Sequence, residues 1–109
     1  MKVFDLMTLA SAEGGEYVLG NKDLHIKSCY LIYGTLDGSE GGRLVKPGQN
    51  HDEILCAVGG PLLMHTTSGD ISLPQGCAVH VKEDNCFFIS NPPTRQVVYI
   101  ISGGSRRPI

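Results

Sequence analysis

The chain has 109 residues, a formal net charge of -2 at pH 7 and 41% hydrophobic residues, a composition typical of one folded domain and not of a disordered chain. Charges of both signs are scattered, so no basic stripe indicates a nucleic-acid partner. No apolar run approaches the roughly 20 residues of a membrane helix, and no signal-peptide pattern is present, so we expect a cytoplasmic protein with no membrane partner.

Short apolar segments separated by Gly, Pro and Asn turns follow one another along most of the chain. The predicted strands are residues 16–19, 26–35, 42–46, 53–58, 62–66, 70–73, 78–82, 86–90 and 96–102. Only residues 4–12 fit a helical stripe, so we expect at most one short N-terminal helix. The spacing predicts an all-β sandwich or barrel over residues 1–109, with an extension at 1–15 and a flexible tail at 103–109.

Two predicted strands, around residues 29–33 and 97–101, are apolar on both faces. A strand with one solvated face alternates instead, so these strands predict a closed interior and a second packing layer outside it. A partner subunit is one source of that layer, and we therefore expect a homodimer. We expect residues 53–58 and 86–90 to form central strands.

The four cysteines show no C-x-x-C spacing. Three of them lie within apolar segments, and Cys77 follows a turn. This pattern predicts reduced thiols, buried except for Cys77, and not a disulfide or zinc framework.

The region between Pro47 and Asn91 carries a more specific pattern. A Pro-Gly turn precedes the segment 52–60, which contains a glutamate and ends in two glycines. The segment 73–81 contains Leu-Pro-Gln-Gly and leads into residues 82–91. This succession resembles the two sequence motifs of the cupin superfamily. The resemblance implies a double-stranded β-helix, or jelly-roll barrel.

The same resemblance implies where a cupin metal site would lie. Glu53 matches the metal-binding glutamate, whereas the two motif histidines fall near Pro47 and Gln49 and the third falls at Phe87. With one of the four ligands matched, we expect no metal or other cofactor. A rebuilt site using His51 stays open as an alternative.

A second resemblance covers residues 30–60. Tyr30 to Tyr33, the glycine-rich turn 38–43 and the segment 55–60 are similar to parts of nucleotide-sugar 3,4-ketoisomerases, a metal-independent group of cupins. Arg43 is the matching functional position, whereas their catalytic histidines fall near Lys46 and Gly48.

The candidate binding residues are His51, Glu53, Phe87, Arg43, His65, His80 and Tyr33, with no catalytic residue assigned. A carboxylate inside a barrel needs a partner, and His51 projects to the same side of an extended chain as Glu53. Arg43 could bind an anion, and also offers a second partner for Glu53. Solvent-facing positions are the alternative for all three residues.

The other candidates come from predicted strands. His65 and His80 are candidates for pointing into the interior, although lone histidines in strands are more often packed or surface residues. Tyr30 and Tyr33 lie three residues apart, so they face opposite sides of one strand, and only one can line an internal pocket. Phe87 would give that pocket an apolar wall.

Three functions remain open from the sequence. One is a module that binds a small polar molecule, such as a carbohydrate or a carboxylate. Another is a metal-independent sugar or nucleotide-sugar isomerase or epimerase with His51 or Glu53 as the base. The third is a metal-dependent cupin enzyme with a rebuilt site.

Overall fold

Two antiparallel β-sheets form the framework of the computed structural model, which describes residues 1–38, 42–91 and 95–106. The strands are β1 (Glu16–Leu19), β2 (Tyr30–Leu36), β3 (Arg43–Val45), β4 (His51–Gly59), β5 (Leu62–Thr66), β6 (Gly69–Leu73), β7 (Ala78–Val81), β8 (Phe87–Ser90) and β9 (Val97–Ser105). The five-stranded sheet has the order β1-β2-β9-β4-β7, and the four-stranded sheet has the order β3-β8-β5-β6.

The core lies between the two sheets. The five-stranded sheet contributes Leu55 and Tyr99, which are completely buried, and the four-stranded sheet contributes Met64, Phe87 and Ile89. Buried residues alternate with more exposed ones along β4, β5, β8 and β9, as expected for sheets with one buried face. β4 and β8 are inner strands of their sheets, which confirms the two predicted central strands.

The predicted N-terminal helix is present as α1 (Leu6–Ala12). Its N-cap is Asp5, whose carboxylate accepts hydrogen bonds from both the backbone N–H and the hydroxyl of Thr8. Its buried residue Ala10 faces the sheet, where α1 contacts β1 and β2. A single helical turn, α2 (Asn21–Leu24), was not foreseen. No helix within the described part of the chain is long and apolar enough to cross a membrane.

The flexible tail predicted at residues 103–109 was placed too near the N-terminus, because the last strand extends into it. β9 continues to Ser105, and Arg106 is held beside the start of β4. The backbone N–H of Arg106 donates to the Asn50 carbonyl at 2.6 Å, and its guanidinium contacts Asp52 at 3.0 Å and also Glu83. Because these backbone and side-chain contacts are satisfied, the first half of the expected tail is part of the sheet. Residues 107–109 lie outside the described residues.

The cysteine prediction was correct about pairing and wrong about burial. All four thiols are free, but Cys29 and Cys86 are exposed together with Cys77. Cys29 precedes β2 and Cys86 precedes β8, so both lie at the ends of the apolar segments and not inside the barrel.

Two tyrosine rings lie across two glycines in the central strand pair β2–β9. The register places Tyr30 opposite Gly103 and Gly34 opposite Tyr99. A Cβ at either glycine would overlap the opposing tyrosine ring. Since directly opposed residues share one face of the sheet, only glycine lets these rings lie flat across the neighbouring strand.

We expect Gly34→Ala to lower the free energy of unfolding by about 3 kcal/mol, because the added methyl must displace a ring with no free space around it. Chemical denaturation monitored by circular dichroism measures this loss.

Gly20→Ala is the matched control, since a Cβ there meets Tyr30 Cβ at 3.5 Å, an ordinary contact, and the backbone φ is -146°. A change within roughly 1 kcal/mol is expected for this variant. Equal losses for the two variants would contradict the close approach of Tyr99 to Gly34.

Candidate functional site

One carboxylate is buried at the end of the barrel interior. Glu53 is only 5% exposed, and its side chain points to the same side as the core residue Leu55. One cross-strand row of the five-stranded sheet consists of Tyr30, Gly103, Glu53 and Val81. The Tyr30 ring crosses Gly103, and its hydroxyl donates a hydrogen bond to Glu53 Oε2. A buried carboxylate therefore has a neutral donor as its partner.

The environment of Tyr30 keeps its hydroxyl protonated. Burial of the phenol is the largest cause that raises its pKa, followed by the hydrogen bond to Glu53 and the charge of that carboxylate. The group therefore remains a donor to Glu53 throughout the physiological pH range.

His51 lies beside this pair, on the same side of β4. Its ring centroid is 5.6 Å from that of Tyr30, at an interplanar angle of 57°. Its Nδ1 is 2.8 Å from the carbonyl oxygen of Gln49, and because a carbonyl only accepts, Nδ1 carries the proton. In the neutral ring, Nε2 is then an acceptor, with no hydrogen-bond partner among the described residues.

The Tyr30–Glu53–His51 cluster therefore offers acceptors to a ligand. Glu53 Oε1 and His51 Nε2 accept hydrogen bonds, and the Tyr30 oxygen, which donates to Glu53, can accept one in turn. A ligand that fits must supply donors, such as the hydroxyl groups of a polyol. A carboxylate ligand would place its oxygens against Glu53 without a donor between them.

The residues of this cluster do not fit the metal site that the cupin resemblance implies. No group of three or more His, Cys, Asp or Glu side chains that could hold a metal occurs among the described residues. Phe87, at the position of the third histidine, is buried in the core. Glu53 and His51 alone are fewer ligands than a catalytic zinc site uses.

Neither residue expected to pair with Glu53 does so. The observed hydrogen-bond partner of Glu53 is Tyr30, whereas His51 bonds to the Gln49 carbonyl. Arg43 lies on β3, in the other sheet. Arg43 Nη1 donates to the carbonyl oxygens of Gly15 at 3.1 Å and Thr35 at 2.9 Å. The expectation that Arg43 could serve Glu53 is therefore wrong.

Arg43 instead belongs to a second tyrosine–glutamate pair. Its Nη1 donates to the Tyr99 hydroxyl at 3.0 Å, and that hydroxyl donates to Glu16. The Tyr99 ring crosses Gly34 to reach Glu16, as the Tyr30 ring crosses Gly103 to reach Glu53. Because β3 and β9 belong to different sheets, the Arg43–Tyr99 bond joins the two sheets. An anion-binding role for Arg43 stays a prediction.

Tyr33 faces away from the interior. Its neighbours Ile32 and Gly34 point inward, so alternation places Tyr33 on the outer side, beneath α1. There it lines a concavity of about 330 Å³, together with Met7 and Thr35. Of the two tyrosines weighed from the sequence, Tyr30 and not Tyr33 lies at the interior.

His80 also faces outward, between the inward-facing Val79 and Val81. Its Nε2 is 3.1 Å from Asp52 Oδ1. Both side chains line a concavity of about 360 Å³ that borders Glu53, and a second concavity of about 420 Å³ that includes Arg106. The interior position considered for His80 is wrong, because its register partner is Ile54, an outward residue of β4.

His65 lies on the outer face of the four-stranded sheet, because Leu62 and Met64 occupy the inward positions of β5. The interior position considered for it from the sequence is therefore wrong. Phe87 is inward, as expected, but it belongs to the tightly buried core cluster. Its role as a pocket wall stays a prediction.

Sequence reasoning missed Tyr30 and Tyr99 as partners of the two glutamates. A signal for them exists, because Tyr30 and Gly34 on β2 have the same spacing as Tyr99 and Gly103 on β9. In an antiparallel pair, that repeated spacing can bring each tyrosine opposite the other strand's glycine. The register that does so was not readable before the strand pairing was known.

No family model matches this sequence, and no curated protein matches it. Solved structures, in contrast, are similar to it in fold. A cupin protein from Bacteroides fragilis is 14% identical with a TM-score of 0.73, and the match covers 100% of this chain and 85% of that one. A Cupin 2 conserved barrel domain protein from Salinispora arenicola is 13% identical with a TM-score of 0.65, covering 83% and 74% of the two chains.

The cupin domain of Cnp3 from Schizosaccharomyces pombe is 12% identical with a TM-score of 0.65, over 83% of this chain and 59% of that one. Likeness at such low identity describes architecture and not activity. With the two antiparallel sheets and their shared core, these similarities establish that the chain has the cupin β-barrel fold.

Proposed function

We propose that this cupin-fold protein binds a small, hydroxyl-rich molecule of the carbohydrate class at the Tyr30–Glu53–His51 cluster, without a metal. The observation that carries the proposal is the buried carboxylate of Glu53, whose partner is a neutral phenol. The remaining acceptors of the cluster suit a ligand that donates several hydrogen bonds.

The choice of a carbohydrate over a carboxylate rests on charge. Glu53 would repel an anionic ligand, and Arg43, the cation considered as its partner from the sequence, lies on the other sheet and donates to Tyr99. A sugar brings hydroxyl groups that can donate to Glu53 Oε1 and His51 Nε2 without an opposing charge.

We expect Glu53→Gln and Tyr30→Phe to weaken binding of the best sugar ligand at least about tenfold, because each removes or disorders a hydrogen bond to a charged group. Isothermal titration calorimetry against monosaccharides, nucleotide sugars and small carboxylates identifies that ligand and measures the loss. The affinity is expected to be unchanged by EDTA, with elemental analysis finding less than stoichiometric metal.

Tyr17→Phe is the matched control, since the Tyr17 hydroxyl donates to the Asp23 carboxylate at 2.9 Å, away from the cluster. It removes the same group from another tyrosine–carboxylate pair and should leave affinity intact. A best ligand that is a carboxylate, or equal affinity of Tyr30→Phe and Tyr17→Phe, would overturn the proposal.

The arrangement of His51 favours a second candidate, a metal-independent sugar isomerase or epimerase. With Nδ1 donating to Gln49, Nε2 is the basic nitrogen and could take a proton from a carbon of a bound sugar. In deuterated water, an enzyme of this kind would exchange that carbon-bound hydrogen, as proton NMR detects, and His51→Gln would stop the exchange. A binding module leaves the sugar signals unchanged.

We propose a second copy of this chain as the layer that covers the five-stranded sheet. Ile54 is 52% exposed on the outer face of β4, where Val58 is also exposed. Cys56 and its register partner Ile100 continue the apolar surface onto β9. An outer sheet face this apolar is unusual for a solvated one and suits a self-complementary contact.

Sedimentation velocity is expected to show a dimer that Ile54→Lys converts to a monomer, because the charge would be buried in the contact. Ile71→Lys is the control, since Ile71 is equally exposed at 50% but lies on the other sheet. A monomeric wild-type protein, or dissociation caused only by Ile71→Lys, would contradict this interface.

A further inference from the structure

A serine, a histidine and an aspartate form a hydrogen-bonded series on the outer face of the four-stranded sheet. His65 Nε2 is 2.7 Å from Ser90 Oγ, and His65 Nδ1 is 3.0 Å from Asp70 Oδ1. The two ring nitrogens therefore contact the two groups that a nucleophilic serine arrangement requires, in the required order. This surface is separate from the Tyr30–Glu53–His51 cluster.

The strand register produces this series. His65 on β5 lies directly opposite Asp70 on β6. Ser90 on β8 lies opposite Leu63, two residues before His65, and is thus the diagonal neighbour of His65 on the other side. All three side chains project from the same outer face, because Met64 and Ile89 occupy inward positions. Three adjacent strands hold the groups in place.

The protonation of the histidine follows from its neighbours. An ionised aspartate only accepts hydrogen bonds, so the proton of the neutral imidazole lies on Nδ1, facing Asp70. Nε2 is then an acceptor and receives the hydroxyl proton of Ser90. This is the tautomer in which the histidine can take that proton as a general base.

The surroundings of Ser90 are apolar and accessible. Leu63 faces it across the strands, and Phe88, which is 51% exposed, precedes it by two residues on the same face. Leu44, 50% exposed, lies opposite Phe88 on β3. The His65 side chain is 38% exposed, so a solute can reach the pair. An ester with an apolar acyl chain would contact these side chains.

We propose that Ser90 is a nucleophile that accepts the acyl group of apolar esters. Ser90 Oγ attacks the ester carbonyl carbon while His65 Nε2 takes the hydroxyl proton. The bond from that carbon to the leaving oxygen breaks, and the leaving oxygen takes the proton from His65. Water then attacks the acyl-serine and releases the carboxylic acid. Asp70 is a positioning residue that holds the histidine tautomer.

The accessibility of the site determines the best measurement. Hydrogen-bond donors aimed at the developing oxyanion contribute about 10²–10³ in rate, and a solvated sheet face weakens such electrostatic effects. We therefore expect slow turnover, and the acyl-serine itself is the sharper readout. Para-nitrophenyl butyrate, an activated apolar ester, is the probe.

Intact-mass spectrometry after exposure to this ester is expected to show one butyryl group per chain, and peptide mapping to place it on Ser90. Ser90→Ala should abolish the adduct, and His65→Gln should slow its formation by about 100-fold, the usual contribution of a general base. Unchanged thermal unfolding of both variants would exclude misfolding as the cause.

Ser72→Ala is the matched control. Ser72 also lies opposite Leu63, on the side away from Ser90, and no hydrogen bond joins it to His65 among the described residues. Its removal should leave acylation unchanged. A wild-type adduct no greater than that of Ser90→Ala, or an adduct found on Ser72 or a lysine instead, would overturn the proposal.

The role of Asp70 has a separate readout. In Asp70→Asn, long-range proton–nitrogen NMR of the His65 ring should show the proton leaving Nδ1, with slower acylation, while Asp70→Glu restores both. Slower acylation with the wild-type tautomer would contradict the positioning role.

Discussion

The close approach of two tyrosine rings to two glycines in β2 and β9 constrains the rest of the structure. Tyr30 lies across Gly103, and Tyr99 lies across Gly34. Each hydroxyl bonds to a glutamate on the strand beyond that glycine. Tyr30 bonds to Glu53 on β4, and Tyr99 bonds to Glu16 on β1. A slip of one residue would move both rings to the outer face and leave the buried carboxylate of Glu53 without its donor. The register of the central strands is therefore tied to polar satisfaction as well as to hydrophobic burial.

The two tyrosine–glutamate pairs have different surroundings, and this difference locates the candidate site. Tyr99 is completely buried and also accepts from Arg43, so its hydroxyl is saturated and the pair joins the two sheets. Burial is the largest cause that raises the pKa of Tyr99, and it acts on Tyr30 in the same direction. No cation within the described residues donates to the Tyr30 hydroxyl, and the second neighbour of Tyr30 is the imidazole of His51. The first pair is structural, whereas the second retains acceptors for a ligand.

The sequence predicted the elements well because strand length, alternation and turn residues are local signals. The inner strands β4 and β8 follow from such patterns, whereas the inward position of Glu53 was implied by the cupin resemblance and not by alternation. The partners of Glu53 and Arg43 could not be predicted, because they depend on which strands pair and in which register. The same limit applies to His65 and His80, since a lone histidine in a short strand carries no information on which face is buried.

The outward histidines His65 and His80 each pair with an aspartate on a neighbouring strand. The chemistry of the two pairs differs because a different third group contacts each of them. At His80, Asp52 also contacts the guanidinium of Arg106, so its charge is shared with a cation that holds the end of β9. The charges of that cluster pair with one another and hold the end of β9 in place. At His65, the second ring nitrogen instead meets the hydroxyl of Ser90. A histidine whose Nδ1 proton faces an aspartate can take a hydroxyl proton at Nε2 and give it up again from the same nitrogen, whereas a histidine beside a shared ion pair is held in one role. The same cross-strand pairing thus stabilises one face of the barrel and creates a nucleophile on the other.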